Sequence, residues 1–365
     1  MNQKLAPLKF GKMAAGMLGH YVRSQFFTNL PVPKKDFSGH TIIVTGSNQG
    51  IGLEAARHLV RLKAAKVILA VRTVSKGEEA KRSIEASTGR QNVIEVWPLD
   101  LCSYASVQAF AERAKTSLER LDALVSNAGI NISAFEPAED NESITTANLV
   151  STFLLVLLLL PKLRETSLDH NKDAVLTFAG SFLHLVARFD ERKAPDILEA
   201  CADPKTTDMS DRYNTSKLME LLATRELSEQ LNRSTKPGNI IASIVNPGSV
   251  RTNINHSQHL LVRAVMFVLL LIVGRHGRNG RPNHGPSVRG RQGVARTVSR
   301  KLRSWGVSRH RAAPTLAFWI EKVKADLLIP SDFVRSAEGL ETQKKLWEQL
   351  LDKLEHIDPG ISANI

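Results

Sequence analysis

Short apolar runs alternate with amphipathic segments along most of the chain. Each run is bounded by glycine, proline or polar residues, which is typical of strands buried on both faces of a parallel sheet. The runs cover residues 41–44, 66–72, 92–101, 121–129, 173–181 and 240–245. Helical periodicity fills the intervals, notably at residues 76–86 and 106–118. This βαβ alternation predicts a doubly wound parallel sheet in a three-layer α/β/α single domain.

Two stretches, residues 149–160 and 264–273, are strongly apolar without alternation. Both are shorter than the roughly 20 residues that a bilayer-spanning helix needs. We therefore predict a buried helix for the first stretch, starting at Asn148 and closed by Pro161. Near the C-terminus, a helix over residues 340–357 is predicted from an apolar stripe of Trp347, Leu350, Leu351 and Leu354.

A glycine-rich turn joins the first strand to the first helix. After Thr45 it contains the predicted cofactor-contacting residues Gly46, Ser47, Asn48, Gln49, Gly50, Ile51 and Gly52. Glycines at these spacings allow a tight turn, let the backbone approach a pyrophosphate and let the helix pack closely on its strand. The turn predicts a Rossmann-type dinucleotide site, whereas the same pattern standing alone is also typical of an ordinary loop.

The end of the second strand bears on the choice of cofactor. A site that selects NAD usually places Asp or Glu there to bind the ribose 2′-hydroxyl, and an arginine accommodates a 2′-phosphate. Here the acid is missing and Arg72 is present. We therefore favour NADP(H) over NAD(H), with a solvated strand-end arginine as the alternative.

Polar residues that could carry chemistry stand near the ends of later strands. Asp100 follows the third strand and Ser181 the fifth, while Tyr213 and Lys217 share one helix face at i, i+4 spacing. Hydride transfer at a carbinol carbon requires a general acid/base beside the oxygen. A tyrosine suits this role when an ammonium lowers its pKa from about 10. An isolated pair of this kind is also typical of a helix surface.

Several motifs occur in one order between residues 38 and 252. They are Thr-Gly-x-x-x-Gly-Ile-Gly at 45–52, Asn-Ala-Gly at 127–129, Ser181, Tyr-x-x-x-Lys at 213–217 and Pro-Gly at 247–248. In this combination the sequence resembles the short-chain dehydrogenase/reductase family. It is most similar to retinol-dehydrogenase-like members, including those of fungal secondary-metabolite pathways.

The resemblance implies a role for each matched residue. Tyr213 would be the acid/base, Lys217 would lower its pKa and hold the nicotinamide ribose, and Ser181 would position the substrate oxygen. Asn148 would anchor a proton-relay water, and His184 is expected to be a packed loop histidine. Cofactor contacts are implied for Asn127, Ala128 and Gly129 on the adenine-ribose side, Asp100 at the adenine, and Pro247, Gly248, Val250 and Thr252 at the carboxamide end. For Asp100, a helix N-cap remains the alternative.

Composition and charge restrict the cellular environment and the partners that we expect for this protein. Cys102 and Cys201 provide neither a disulfide framework nor a metal-ligand spacing, so we expect no metal and a reduced, cytoplasmic environment. A formal net charge of +13 would normally suggest a nucleic acid or an anionic membrane as partner. The excess is local, however, because residues 230–320 contain no Asp or Glu and residues 275–311 contain eleven Lys or Arg. Nucleic-acid binding is therefore not the favoured function.

Residues 274–314 depart sharply from the rest of the chain in composition. They could be a basic arm that binds a polyanion, a membrane-facing loop beside residues 264–273, or a stretch translated in the wrong reading frame. We favour the last, because codons allowed for residues 276–305, read one nucleotide later, permit a family-like sequence. The chain would then keep the cofactor fold but carry a damaged substrate lid.

These observations divide the chain into four parts. Residues 1–37 form an N-terminal extension, either a packed amphipathic helix or a peripheral membrane contact. Residues 38–259 form the NAD(P)-binding catalytic domain, residues 260–330 an apolar helix with the arginine-rich segment, and residues 331–365 a helical tail.

The predicted function is NADP(H)-dependent interconversion of an alcohol with a ketone or aldehyde. The small-molecule substrate is expected to be lipophilic, because residues 260–273 are apolar, although those residues would serve an ordinary core as well. The alternative is a catalytically impaired dinucleotide-binding protein. A homodimer through residues 149–160 is expected by resemblance.

Overall fold

A six-stranded parallel sheet forms the centre of the protein. The computed structural model describes residues 35–247 and 331–365. Predicted contacts of Gly248, Val250 and Thr252, and predictions for residues 1–34 and 253–330, lie outside the described residues.

The strands are arranged in the order β3-β2-β1-β4-β7-β8. They are β1 Thr41–Thr45, β2 Lys66–Val71, β3 Ile94–Pro98, β4 Ala123–Ser126, β7 Ala174–Ala179 and β8 Ile240–Val245, and a small ribbon pairs β5 Pro137–Ala138 with β6 Asn141–Glu142.

Helices connect the strands and cover both faces of the sheet, as the alternation predicted. They are α1 Gly50–Arg61, α2 Val74–Thr88, α3 Tyr104–Ser117, α4 Ser143–Asp169, α5 Ile197–Ala202, α6 Met209–Arg233, α7 Asp332–Arg335 and α8 Ala337–Ile357, with 3₁₀ turns at Phe182–Leu185, Asp190–Lys193 and Ile361–Asn364. The strand order reverses between β1 and β4, and ligands of open α/β sheets bind outside the carboxyl ends of the strands at such a point.

Helix α4 differs from its prediction at both ends. It begins at Ser143 rather than Asn148, contains a π-helical segment at Thr146–Val150, and continues past Pro161 to Asp169. The prediction that Pro161 closes the helix is wrong. Proline removes one backbone hydrogen bond, but Leu160 and Leu163 are fully buried on either side of it, and this packing holds the helix together.

The apolarity of helix α4 serves the core of the protein. By length and composition this helix could cross a membrane, but its apolar window is entirely buried inside the protein. Residues 149–160 are all buried within the chain, so they present no exposed apolar face to a second copy. The predicted buried helix is confirmed, and the homodimer stays a prediction.

The C-terminal helix α8 packs onto helices α4 and α6. Trp347 meets Phe153 of α4 edge to face, with 6.0 Å between ring centroids. Leu350 and Leu354 are fully buried, while Leu351 is only partly buried. The stripe predicted for this helix is therefore confirmed except at Leu351, and the tail belongs to the same hydrophobic core as the sheet.

Candidate active site

The glycine turn after strand β1 approaches the end of strand β4 very closely. Gly46 has a φ of +63°, and a Cβ on it would lie 2.8 Å from the Cα of Ala128. A Cβ on Gly52 would lie 2.5 Å from Asn127 Nδ2. Real Cβ atoms do not approach other atoms so closely, so both positions require glycine for the turn and helix α1 to pack here.

Helix α1 presents its N-terminus to a cavity at the carboxyl end of the sheet. Gln49 at the N-cap makes no side-chain cap hydrogen bond, and the first turn contains no acidic residue. Asn48, Gln49, Gly50 and Ile51 line the cavity together with Gly46. Backbone N–H groups of an uncapped helix N-terminus bind phosphate groups well. The turn therefore fits the pyrophosphate of a dinucleotide.

Two residues of the predicted turn support the cavity without lining it. Ser47 is fully buried, and its Oγ donates a hydrogen bond to Val44 O over 2.8 Å. Gly52 is buried where helix α1 packs against Asn127. Both residues are buried in the protein interior and stabilise the conformation of the turn.

The Asn-Ala-Gly segment joins strand β4 to strand β1. Asn127 Nδ2 donates to Thr45 O over 3.0 Å and to Gly46 O over 3.3 Å. The backbone N–H groups of Asn127 and Ala128 donate to Thr45 Oγ1 over 3.0 and 2.9 Å. Asn127, Ala128 and Gly129 all line the cavity, so one set of contacts links the sheet to the site.

Basic side chains lie at one end of the cavity. Arg72 follows strand β2, is exposed and lines the cavity with Thr73 and Lys76. Sequence reasoning missed Lys76, because an exposed lysine near the start of a helix is indistinguishable from an ordinary surface residue. Two cations at the strand end suit a phosphate group better than a ribose hydroxyl.

Asp100 also lines the cavity. Its Oδ1 accepts a hydrogen bond from Cys102 N over 2.9 Å, whereas the N-cap of helix α3 is Ser103. The alternative that Asp100 caps this helix is therefore wrong. Its carboxylate stabilises the loop after strand β3 at the cavity wall.

Ser181, Tyr213 and Lys217 meet at the end of strand β7. Ser181 begins a 3₁₀ turn, and its Oγ accepts a hydrogen bond from Leu183 N over 3.2 Å. Ser181 acts on the phenol of Tyr213, on helix α6, in the direction that lowers its pKa. One turn further along, Lys217 Nζ donates to Ala179 O over 2.9 Å. Tyr213 and Lys217 both line the cavity.

The charges around Tyr213 oppose one another. Burial raises the pKa of Tyr213 above its usual range, Glu220 raises it further, and Lys217 and Ser181 act in the lowering direction. Lys217 therefore acts with the predicted sign, but burial has the larger effect on the pKa of Tyr213. Burial lowers the pKa of Lys217, but Glu220 and Tyr213 together outweigh that effect and raise it.

Asn148 lies in the π-helical segment of α4 and is almost fully buried. Its Oδ1 accepts from Ile130 N over 2.8 Å, and its Nδ2 donates to Ile130 O over 3.0 Å and to Ser216 Oγ over 3.1 Å. A Cβ on Gly129 would lie 3.2 Å from Asn148 Oδ1 and 3.8 Å from Lys217 Nζ. Asn148 thus joins three elements beside Lys217, and its relay role stays a prediction.

The remaining predicted residues fall into two groups. Pro247, at the end of the described segment after strand β8, lines the cavity. His184 is buried with its Nδ1 2.5 Å from Ser181 O, as expected of a packed loop histidine. Within residues 35–247 and 331–365, no group of three or more His, Cys, Asp or Glu side chains is arranged to hold a metal ion.

A parallel sheet with an uncapped helix N-terminus and a Tyr-Lys pair at one cavity is typical of dinucleotide-dependent α/β oxidoreductases. Comparison with known proteins agrees. A family model described as short chain dehydrogenase matches residues 40–175. The short chain dehydrogenase/reductase dmxR8 of Cryptosporiopsis sp. (strain 8999) is 37% identical over 358 residues, covering 94% of this chain and 99% of that protein.

Other fungal relatives are similar over most of their length. The short chain dehydrogenase atnD of Emericella nidulans is 43% identical over 265 residues, covering 72% of this chain and 83% of that protein. The short-chain dehydrogenase anuD of Penicillium roqueforti is 36% identical over 343 residues, covering 93% of this chain and 84% of that protein. The chain belongs to the short-chain dehydrogenase/reductase family and is an NAD(P)-dependent oxidoreductase, as the motifs predicted.

Proposed function

We propose that the protein uses NADP(H) to interconvert an alcohol and a ketone or aldehyde on a lipophilic small molecule of fungal secondary metabolism. The observation that carries this proposal is that Tyr213 and Lys217 line the cavity that the glycine turn opens, with Ser181 next to the lining residue Gly180. The fungal relatives support the proposed metabolic setting. A cytoplasmic location is part of the proposal, supported by two free cysteines.

The preference for NADP(H) rests on charge. Arg72 and Lys76 both line the cavity beside the end of strand β2, and no acidic residue stands there to bind a ribose 2′-hydroxyl. The backbone N–H groups at the start of helix α1, where Gly50 and Ile51 line the cavity, would hold the pyrophosphate. The cofactor, when bound, supplies or accepts the hydride.

The protein's own residues would handle the proton. Tyr213 would exchange a proton with the substrate oxygen, because it lines the cavity and Ser181 and Lys217 both favour its phenolate form. Ser181 would orient that oxygen, and the Lys217 ammonium would favour the phenolate form of Tyr213.

The first experiment measures cofactor choice by fluorescence titration with NADPH and NADH. We expect tighter binding of NADPH, and loss of that preference in Arg72→Ala and Lys76→Ala. Arg82→Ala is the matched control, because Arg82 is an exposed cation of the same helix as Lys76 and does not line the cavity. Equal affinity for both cofactors in the wild-type protein would contradict the NADP(H) assignment.

The second experiment follows oxidation or production of NADPH with a panel of apolar alcohols, ketones and aldehydes. We expect turnover in the wild-type protein and its loss in Tyr213→Phe, which retains the ring and removes the proton. Tight NADPH binding without turnover on any member would favour the alternative, an impaired dinucleotide-binding protein.

A further inference from the structure

Helix α6 carries a second buried charge one turn beyond Lys217. Glu220 is only 2% exposed, and its Oε2 lies 2.8 Å from Lys217 Nζ. Residues at i, i+4 and i+7 share a helix face, so Tyr213, Lys217 and Glu220 form one row. The implied catalytic set does not use this carboxylate.

The contacts of Lys217 fix the direction of its ammonium group. An ammonium has three N–H donors. Lys217 directs one to Glu220 and one to Ala179 O, which leaves one for the cavity that Lys217 lines. A buried ammonium is costly unless it is paired and hydrogen-bonded. Glu220 supplies the countercharge that Ala179 cannot.

We propose that Glu220 is a positioning residue for the reaction, because it keeps Lys217 charged and directed into the cavity and limits how strongly Lys217 favours ionisation of Tyr213. This inference rests on the proposed roles of Tyr213 and Lys217. Glu220 does not itself line the cavity. It acts through Lys217.

The other charges near this part of helix α6 have partners of their own. Among the described residues, strand β8, the 3₁₀ turn Phe182–Leu185 and the π-helical segment Thr146–Val150 bring one titratable side chain against the helix, His184. The short turn before that segment follows Glu142, which pairs with Arg212. Helix α8 contacts helix α6 through a hydrogen bond from Gln343 to Glu226. The titratable side chains of helix α8 are not among the charges that act on Tyr213 or Lys217.

The sign of the effect follows from these contacts. Glu220 raises the pKa of Tyr213, because a negative charge disfavours a phenolate, and it raises the pKa of Lys217, because it favours the ammonium. Removing the charge should therefore lower both. The two groups titrate as a coupled system, so both limbs of an activity profile that depends on them should move to lower pH.

Glu220→Gln tests this inference, because it retains the size of the side chain and removes its charge. The chain has only three tyrosines, Tyr21, Tyr104 and Tyr213, so tyrosinate absorbance can be followed against pH and corrected with the matching Tyr213→Phe variants. At a fixed alkaline pH we expect the ionised fraction of Tyr213 to rise about tenfold, the equivalent of one pKa unit.

Two further variants make the test selective. Glu226→Gln removes another buried carboxylate of helix α6 that binds Gln343 rather than Lys217, and should leave the titration of Tyr213 unchanged. Glu220→Asp retains the charge and should remain close to wild type. An unchanged Tyr213 titration in folded Glu220→Gln, or equal shifts in Glu220→Asp and Glu220→Gln, would overturn the inference.

The titration uses neither cofactor nor substrate. If the wild-type protein neither binds NADPH nor turns over a substrate, that result contradicts the proposed function and leaves the inference about Glu220 unaffected. If turnover is found, the pH profile of Glu220→Gln should move to lower pH on both limbs. A merely structural role would reduce activity equally at every pH.

Discussion

Thr45 is the residue through which strand β1 holds the end of strand β4. Its side chain is fully buried, and its Oγ1 accepts hydrogen bonds from the N–H groups of Asn127 and Ala128. Thr45→Val retains the shape of the side chain but leaves both donors without this acceptor. An unsatisfied buried donor costs about 1–3 kcal/mol. Because Asn127 and Ala128 are only partly buried, we expect a loss of roughly 2–4 kcal/mol in the free energy of unfolding.

Urea unfolding followed by circular dichroism measures this loss. Thr45→Ser is the control, because it retains the hydroxyl and removes only a methyl group, which is worth about 1 kcal/mol. Asn127 and Ala128 also line the cavity, so Thr45→Val should weaken NADPH binding as well. A Thr45→Val protein within about 0.5 kcal/mol of wild type, or a Thr45→Ser protein equally destabilised, would refute the reasoning.

Three further predictions concern other parts of the described structure. Gly52→Ala should abolish NADPH binding in a fluorescence titration, because its Cβ would meet Asn127 Nδ2 at 2.5 Å. Gly89→Ala meets no atom within 4 Å and should still bind NADPH, although the φ of +70° at Gly89 makes this control less stable by about 1–2 kcal/mol. Trp347→Ala should cost about 3–5 kcal/mol of unfolding free energy in urea, while Leu340→Ala, 43% exposed, should change it by no more than about 0.5 kcal/mol. Burial lowers the pKa of His40 and His58 below 6.5 in the folded protein. As the pH falls through 6.5, these histidines therefore bind more protons in the unfolded chain than in the folded protein. Stability should therefore decline through that range, and a double His40→Gln/His58→Gln variant should decline less in melts at a series of pH values.

The strands were predictable because strands of a parallel sheet are buried on both faces and are apolar throughout. Strand β8 has the predicted bounds, residues 240–245. Strand β4 ends at Ser126, where the predicted small-residue turn begins, because the next backbone N–H groups leave the sheet ladder for Thr45 Oγ1. The end of helix α4 was not predictable from Pro161, because tertiary packing decides whether a helix tolerates a proline.

The residues of the candidate site also fall into those that the sequence predicts and those that it does not. Residues in short contiguous motifs, such as Gly46 and Lys217, could be identified because their spacing along the chain encodes the chemistry. Lys76 and Glu220 could not, because each resembles an ordinary surface residue of a helix. Only the packing of helix α6 against strand β7 shows that Glu220 is buried beside Lys217.

The polar segment between strand β7 and helix α6 fixes the position of Tyr213. Asp211, two residues before it, accepts hydrogen bonds from Arg188 N, Phe189 N and Thr215 Oγ1. Arg212, directly before it, is fully buried and pairs with Glu191 over 3.0 Å and with Glu142 over 3.7 Å.

These contacts tie the first turn of helix α6 to the start of helix α4 and to the 3₁₀ turn Asp190–Lys193. Removing one partner of a buried ion pair leaves an uncompensated charge, so this end of the helix resists displacement. Lys217 is held one turn further along by Ala179 and Glu220. The helix turn that carries Tyr213 is therefore held at both ends. The polar segment between strand β7 and helix α6 is therefore a structural determinant of the candidate active site.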